Sequence, residues 1–338
     1  MKASVARYGT RVGITGVGVY VPERVLTNAD LEQMVQTSDE WITERTGIKE
    51  RRIAADGEAA SDMALPAARQ ALERAGVEAE DVDVVLVATS TPDMLFPTTA
   101  TLVARDLGST RAAAYDILAA CSGFIYGLAQ AYSAVSSGVS KKVLVVGSEA
   151  LSTIVDWDDR GTCILFGDGA GAAVVEEVAE GGFLGFELGA DGSGGDDLYV
   201  AAGGSRNPAS AETVANEMHL IRMKGQEVFR FATRVMVSSA ANLLEECEAT
   251  VDDVDLYVPH QANKRIIDHA AKNLGLPPEK VFVNIDRYGN TSAASIPIGL
   301  AEAIEQGSLA PGTNVLMSAV GGGFTWGSAF MTWSDGSR

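Results

Sequence analysis

The chain has 338 residues, 46% of them hydrophobic, and can therefore bury a large core in one big domain or in two fused ones. Its net charge of −19 argues against nucleic acid as a partner, and it has neither a signal-peptide pattern nor the run of ~20 apolar residues that a membrane span needs. Three widely spaced cysteines favour a reducing compartment, so we expect a cytoplasmic protein, and no metal-binding or phosphate-loop motif is present.

In chain order, predicted strands alternate with predicted helices. Apolar runs predict buried strands at residues 11–21, 83–89, 112–118 and 142–146. Helical periodicity predicts helices at residues 61–75, 97–107 and 122–136. Ser38 and Gly47 fit the N-cap and C-cap of a shorter helix. We expect two glycine-punctuated strands within 163–175 and an irregular connection at 181–216.

Three short segments of the first half recur in the second half at one offset of 172 residues. The pairs are residues 81–84 with 253–256, 127–131 with 299–303, and 142–145 with 314–317. This repetition predicts an α/β protein of two similar halves, residues 1–178 and 179–338. Such halves can pack as helix–sheet–helix–sheet–helix layers.

Cys121 lies at the predicted turn between strand 112–118 and helix 122–136. Free N–H groups and the positive dipole end of a helix favour the thiolate, and the pKa of such a thiol can fall from ~8.5 to roughly 3.5–7.5. Taken alone, the segment fits a reactive nucleophile and a small buried side chain equally well.

The second half contributes three further candidates near this turn. The repeat aligns Asn290 and the small residues after it with the Cys121 turn. His260 follows a buried strand, at the kind of strand end where α/β sites collect. Gly321, Gly322 and Gly323 follow the strand 314–319, and glycine N–H groups can approach a substrate closely and stabilise an oxyanion.

Trp41 and Arg45 are spaced i,i+4 and share one face of the helix that Ser38 begins. An aromatic plane beside a guanidinium can hold an adenine ring and its phosphates. A packed Trp beside a solvated Arg fits the same pattern.

Several stretches together resemble the beta-ketoacyl-acyl-carrier-protein synthase III family. They are Glu-Trp-Ile-Thr-Glu-Arg-Thr-Gly-Ile, Ala-Ala-Cys-Ser-Gly-Phe, Arg-Gly-Thr-Cys-Ile-Leu-Phe-Gly-Asp-Gly-Ala, His-Gln-Ala-Asn, Gly-Asn-Thr-Ser-Ala-Ala-Ser and Gly-Gly-Gly-Phe-Thr-Trp-Gly. The match runs from Gly13 to the C-terminus in the family's order and spacing. It implies a thiolase fold, a homodimer and no cofactor or metal. It also implies the first condensation of fatty-acid synthesis, in which an acyl group from acyl-CoA joins malonyl-carrier protein with loss of carbon dioxide.

By this resemblance, Cys121 is the nucleophile that carries the acyl group, and the backbone N–H groups of Cys121 and Gly322 bind the oxyanion at the acyl carbonyl. His260, kept neutral, and Asn290 would bind the malonyl thioester carbonyl and its enolate, a role in which one lost donor typically costs on the order of 10²–10³ in rate.

The resemblance also assigns the substrate contacts. The expected CoA contacts are Trp41, Arg45, Arg160, Asn263 and, where relatives often carry Asn, Gln226. The expected acyl-pocket residues are Val320, where some relatives have Phe, and Phe96, which would close the pocket of the other subunit.

An acidic carrier protein requires a local basic patch on this acidic chain. The sequence offers Arg222, Lys224, Arg230, Arg234, Lys264 and Arg265 in two stretches that flank the site's helices. Steering by such a patch acts over ~8–10 Å, so it can outweigh the overall charge. We expect Arg230, Lys264 and Arg265 to contact the carrier.

Two other functions stay open. The first is a type III polyketide synthase-like enzyme that extends from malonyl-CoA or makes a secondary metabolite. The second is a non-catalytic partner subunit of a heterodimer. The acyl primer is also open among acetyl, branched and longer groups.

Overall fold

A computed structural model describes residues 2–4 and 10–334. The strands are β1 (Lys2–Ser4), β2 (Val12–Tyr20), β3 (Arg24–Thr27), β4 (Glu50–Ile53), β5 (Val84–Ala88), β6 (Ala113–Ile117), β7 (Lys142–Glu149), β8 (Gly169–Glu177), β9 (Gly182–Ala190), β10 (Leu198–Val200), β11 (Ile221–Met223), β12 (Leu256–Pro259), β13 (Asn314–Gly321) and β14 (Thr325–Thr332). The helices are α1 (Asn28–Leu31), α2 (Asp39–Thr46), α3 (Ala60–Ala75), α4 (Thr99–Leu107), α5 (Gly123–Ser136), α6 (Arg160–Cys163), α7 (Ala211–Ala215), α8 (Gly225–Glu246), α9 (Lys264–Leu274), α10 (Ile285–Tyr288) and α11 (Ser295–Glu305).

Two mixed sheets form the centre of the molecule. The first has the order β2-β8-β7-β5-β6 and the second the order β1-β9-β14-β13-β12. In the first sheet β7 pairs in parallel with β5 and antiparallel with β8. In the second sheet β13 likewise pairs in parallel with β12 and antiparallel with β14. Two small antiparallel sheets of two strands each, β3–β4 and β10–β11, lie apart from the central sheets.

Helices cover both sheets and fill the space between them. The long helix α3 packs on β2 and β8, and α8 packs on β13 and β14, so these helices form the outer layers. The apolar helices α5 and α11 contact both sheets and form the middle layer. The five layers are those of the thiolase fold, so the predicted α-β-α-β-α architecture is confirmed.

The predicted repeat is visible in the elements themselves. Helices α5 and α11 begin 172 residues apart, and so do β7 and β13. A 3₁₀ turn precedes each middle helix, at Ala120–Ser122 and at Ser292–Ala294. The equivalent residues Ala120 and Ser292 both have left-handed backbone angles, with φ of 45° and 48°. The division of the chain at residue 178 stays a prediction.

Two expectations from the sequence are wrong. Residues 163–175 do not form two strands, because Cys163 ends the short helix α6 and a single strand, β8, begins at Gly169. The segment 181–216 is not wholly irregular either. Its first part, β9, is paired along its length with β14, so neighbouring strands supply the order that its glycine-rich sequence does not indicate.

Candidate active site

The two 3₁₀ turns meet between the sheets, because glycine lets each approach a strand of the opposite half. A Cβ added to Gly147 on β7 would lie 2.3 Å from the carbonyl oxygen of Ala293. A Cβ added to Gly321, at the end of β13, would lie 2.8 Å from the nitrogen of Cys121. The turn of each half is thus seated against the sheet of the other, as the repeat predicts.

Cys121 is buried in the first turn, with 8% of its surface exposed. Burial raises the pKa of its thiol to about 12, and the nearby Glu149 carboxylate adds to the rise, while a hydrogen bond with the Ser292 side chain opposes it. The sequence predicts a lowered pKa from the helix end. The structure corrects this, because α5 begins only at Gly123 and removal from water dominates.

His260 follows the end of β12 and is 1% exposed. Burial lowers its pKa to about 3, so its ring is neutral at physiological pH, as predicted. Nδ1 shares a hydrogen bond of 2.7 Å with Ser295 Oγ, whereas Nε2 is buried without a partner in the described chain. When Ser295 donates to Nδ1, the ring carries its proton on Nε2 as a donor for a ligand.

Asn290 lies at the start of the second turn and is 7% exposed. Its Oδ1 accepts a hydrogen bond of 2.8 Å from the N–H of Ser292, so the amide nitrogen is the part of the side chain that is left to donate to a ligand. The backbone of Asn290 is fixed by hydrogen bonds of its N–H to Leu165 and of its C=O to Gly167. The carboxamide is therefore held as a hydrogen-bond donor.

A cavity of about 160 Å³ connects these side chains. Cys121, His260 and Asn290 share its wall with Asn263 and Val320, as the sequence predicts. The apolar remainder of the wall was not predicted from the sequence. The spacing of one helix face could have indicated four of these residues, Gly225, Val228, Phe229 and Ala232. Leu198 and Met223, paired in the sheet β10–β11, gave no signal in the sequence.

Two arginine side chains lie over the ring of Trp41. The guanidinium carbons of Arg45 and Arg160 lie 4.3 and 4.6 Å from the centre of its ring. The Asn263 side chain donates a 3.0 Å hydrogen bond to the Arg45 carbonyl while it caps α9 and lines the cavity. One asparagine thus connects the predicted CoA platform to the cavity.

Gln226, Gly322 and Phe96, which were predicted for the pantetheine arm, the oxyanion and the acyl pocket, do not line the cavity. Gly225 lines it next to Gln226, and Gly321 lines it next to Gly322. Phe96 is 83% exposed on the loop before α4. The roles of these three residues stay predictions.

Acidic neighbours pair with four of the six cations in the expected basic patch. Arg222 pairs with Asp156, Lys224 with Asp197, Arg230 with Glu227 and Lys264 with Asp268. Arg234 and Arg265 instead lie over the rings of Phe231 and Phe229.

Within residues 2–4 and 10–334, no group of three His, Cys, Asp or Glu side chains is arranged to hold a metal ion. None of the helices described here combines the length and the apolar character needed to cross a bilayer.

Comparisons with known proteins find the same family over most of the chain. Two family models match, 3-oxoacyl-[acyl-carrier-protein] synthase III over residues 115–192 and its C-terminal counterpart over residues 244–333. Beta-ketoacyl-[acyl-carrier-protein] synthase III of Caldanaerobacter subterraneus subsp. tengcongensis is 56% identical over 95% of this chain and 98% of its own.

Solved structures extend the likeness to three dimensions. The synthase III of Thermus thermophilus is 51% identical, with a TM-score of 0.89 over 96% of this chain and 99% of its own. The priming beta-ketosynthase of the R1128 polyketide pathway is 36% identical, with a TM-score of 0.91 over 97% of this chain and 98% of its own. The chain belongs to the beta-ketoacyl-[acyl-carrier-protein] synthase III family.

Proposed function

We propose that this chain is an acyltransferase that condenses a short acyl-CoA with malonyl-acyl carrier protein, with loss of carbon dioxide, to start fatty-acid synthesis. The observation that carries the proposal is the shared cavity, in which a cysteine from one half faces a neutral imidazole and a carboxamide from the other. Relatives at 50–56% identity bear the synthase III name.

In the first step the Cys121 sulfur attacks the acyl-CoA carbonyl, and CoA leaves as a thiolate. The carbonyl oxygen becomes an oxyanion, which the N–H groups of Cys121 and Gly322 would stabilise. The apolar cavity wall, including Val320, receives the acyl chain. The product is an acyl thioester on Cys121.

In the second step the malonyl thioester binds with its carbonyl oxygen between His260 Nε2 and the Asn290 amide. Both groups are donors in a buried site, so they stabilise the enolate that forms as carbon dioxide leaves. The carbanion attacks the Cys121 thioester and expels the sulfur. This chemistry uses only groups of the chain, and the expectation that no cofactor or metal takes part stays a prediction.

For the substrate carriers, Trp41, Arg45 and Arg160 would hold the adenine end of CoA, and Asn263 and Gln226 the pantetheine arm. Arg265, with Arg230 and Lys264, would meet the acidic carrier protein. Exposed ion pairs contribute only ~0–1 kcal/mol, so the acids that neutralise Arg230 and Lys264 can be exchanged for those of a partner.

A homodimer fits the free edge of the first sheet. Strand β6 has no partner on its outer side within the described residues, and Tyr115, Leu118 and Phe96 are 44%, 78% and 83% exposed nearby. Exposed strand edges and apolar patches of this kind are pairing surfaces. The cytoplasmic location stays a prediction from the sequence.

A second candidate is the priming of a polyketide pathway. The R1128 priming beta-ketosynthase has the same fold at 36% identity. The fatty-acid relatives are more similar in sequence, so we favour fatty-acid initiation. Malonyl-CoA offered in place of malonyl-carrier protein separates a carrier-independent polyketide enzyme from the proposed one.

The decisive experiment is transfer of a labelled acyl group from a panel of acyl-CoAs in a single turnover. We expect label on Cys121 in the native chain and in Cys163→Ala, whose cysteine is buried outside the cavity, but not in Cys121→Ala. A chain that takes no label from any acyl-CoA would instead be a non-catalytic partner subunit.

A further inference from the structure

Glu149, the last residue of β7, is a fully buried carboxylate, and no cationic side chain pairs with it in the part of the chain that the structure describes. Its Oε2 accepts hydrogen bonds from the N–H of Ser90 at 2.9 Å and from Thr91 Oγ1 at 3.0 Å. Its Oε1 accepts a hydrogen bond of 2.8 Å from Ser292 Oγ. Because a buried carboxylate is costly without such donors, it stays where they meet it. Glu149 is therefore a fixed anchor for the Ser292 hydroxyl.

Ser292 also holds the side chain of Asn290. The N–H of Ser292 donates a hydrogen bond of 2.8 Å to Asn290 Oδ1, two residues earlier, as in an Asx turn. Ser292 has a left-handed backbone, with φ of 48°, which is unfavourable for a residue other than glycine. Its hydroxyl bond to Glu149 stabilises this conformation. The carboxylate thus helps to fix the N–H group that Asn290 accepts.

This hydrogen bond decides which end of the Asn290 carboxamide meets a ligand. A carboxamide accepts hydrogen bonds at its oxygen and donates them at its nitrogen, so only Oδ1 can face the Ser292 N–H. The amide nitrogen is then left as the donor. A carboxamide turned by half a rotation would instead present an oxygen to the enolate of the proposed reaction and would repel it.

The internal repeat indicates that the acid serves the carboxamide rather than the fold. The residues 172 positions away from Asn290, Ser292 and Glu149 are Leu118, Ala120 and Gly321. Ala120 has the same left-handed backbone as Ser292, with φ of 45°, and lies against Gly321 as Ser292 lies against Glu149. The turn therefore forms without a hydroxyl and without an acid. Both occur only where the turn carries a carboxamide.

We propose that Glu149 is a positioning residue for the condensation, which through Ser292 holds the Asn290 carboxamide with its nitrogen towards the malonyl thioester. The inference rests on the proposed function, in which Asn290 and His260 bind the malonyl carbonyl. Glu149 acts only as a hydrogen-bond acceptor, and no bond forms or breaks at it. The two steps of the reaction should therefore differ in their response to its loss. Decarboxylation uses the Asn290 amide, whereas acylation of Cys121 does not.

The test compares Glu149→Gln with Ser292→Ala, which removes the hydroxyl. Both oxygens of Glu149 accept hydrogen bonds, so the amide nitrogen of a glutamine would face a donor at one end. Two rates are measured: decarboxylation of malonyl-carrier protein without acyl-CoA, and single-turnover acylation by acetyl-CoA. We expect each variant to slow decarboxylation by about tenfold or more, because one lost donor typically costs ~10²–10³ in rate, and to change acylation by about threefold or less.

A double variant tests whether the effect passes through Asn290. Asn290→Ala should itself slow decarboxylation, because it removes the donor. Adding Glu149→Gln to it should change the remaining rate by about twofold or less, because a residue that acts only through Asn290 has nothing left to position. A general weakening of the fold would instead add a second loss to the first.

Glu176→Gln is the matched control. Glu176 is a buried acid on β8 in the same sheet, and its Oε1 accepts a hydrogen bond of 2.8 Å from the Thr15 hydroxyl. It does not line the cavity. Both rates in this variant should stay within about twofold of the native rates, because it removes the same charge away from the site.

Decarboxylation at the native rate in either folded variant, Glu149→Gln or Ser292→Ala, would overturn the inference, and so would an equal loss of both rates. If Glu149→Gln does not fold, Ser292→Ala decides. If neither folds, the pair serves the fold and the inference is wrong. A native chain that neither takes up an acyl group nor decarboxylates malonyl-carrier protein would refute the proposed function itself, before any variant is compared.

Discussion

Gly321 shows how much of the site depends on a single missing methyl group. Its Cα approaches the Cys121 turn so closely that an added Cβ would meet the nitrogen of Cys121, the carbonyl of Ala119 and the Cβ of Ala120 within 3.0 Å. Two of these are backbone atoms and the third is an alanine Cβ, and none of them can rotate away. Any side chain at this position must displace the turn that carries the nucleophile.

We therefore expect Gly321→Ala to fold but to lose at least tenfold in the rate of Cys121 acylation, because positioning errors of about 1 Å can cost ~10² in rate. Acylation is followed in a single turnover, and unfolding by heat. Gly204→Ala is the matched control, since nothing lies within 4 Å of an added Cβ there. Equal acylation rates in the two variants would contradict this reading of the turn.

His260 predicts a pH effect on stability. Its pKa is about 3 in the folded chain, and ~6.5 is the ordinary value for an unfolded one. Below pH 6.5 the unfolded state binds a proton that the folded state does not, so the free energy of unfolding falls as the pH decreases towards 3. The loss from this residue reaches about 2 kcal/mol at pH 5.

Denaturant unfolding at pH 7 and pH 5 measures this effect. His260→Gln, which keeps a donor but does not titrate, should lose about 2 kcal/mol less than the native chain between the two pH values. A difference of zero between the two proteins would mean that the His260 pKa is not lowered in the folded state.

At the scale of elements, α2 is the helix whose ends were predicted best from the sequence. Ser38 caps its first turn, and Gly47 ends it with a left-handed φ of 80°. A Cβ at Gly47 would lie 2.6 Å from Lys264, so the end of α2 also fits against α9. The helix presents Trp41 between two guanidinium groups as part of this arrangement.

The platform on α2 predicts a selective loss of CoA binding. A stacked cation–aromatic contact contributes ~0.5–2 kcal/mol, so Trp41→Ala and Arg160→Ala should each raise KM for acyl-CoA by about tenfold at an unchanged kcat. An acyl thioester of N-acetylcysteamine lacks the adenine end and serves as the control. If its KM rises as much as that of acyl-CoA, the platform does not bind the nucleotide.

Helix α9 and the start of α8 carry the expected carrier surface. Arg265→Glu should weaken use of malonyl-carrier protein severalfold, more strongly at low salt, because it reverses a charge that no acid neutralises in the described chain. KM for malonyl-carrier protein measures this. Arg105→Glu on α4, an exposed arginine paired with Asp106, is the matched control. Unchanged kinetics in Arg265→Glu would reject this surface.

Periodic and repeated elements could be predicted well from the sequence. The burial and the charged neighbours of individual side chains could not. The 172-residue offset indicated α5, α11 and the meeting of their turns. It could not indicate that Cys121 is buried, because burial depends on the packing of both halves. Glu227, which pairs with Arg230, lies three residues before it in the sequence. A count of the charges on each helix face would have predicted this pair.

At the scale of the whole molecule, the first sheet ends in the strand β6, whose outer edge is a surface on which a second copy of the chain could pair. We expect Leu118→Asp to shift the chain from a dimer towards a monomer, because it places a charge beside β6 in a contact that would otherwise be apolar. Sedimentation analysis measures the mass. Val139→Asp, which is 82% exposed at the turn after α5, should leave the mass unchanged. A native chain that sediments as a monomer would contradict the expected homodimer.

Leu198 and Met223, paired in the small sheet β10–β11, have a consequence for how such an enzyme can diversify. They line the cavity from outside the two large sheets, and they belong to neither 3₁₀ turn. Their replacement can reshape the room for a substrate tail while the reacting groups keep their places. Selectivity for the substrate tail can therefore change without disturbing the two central sheets.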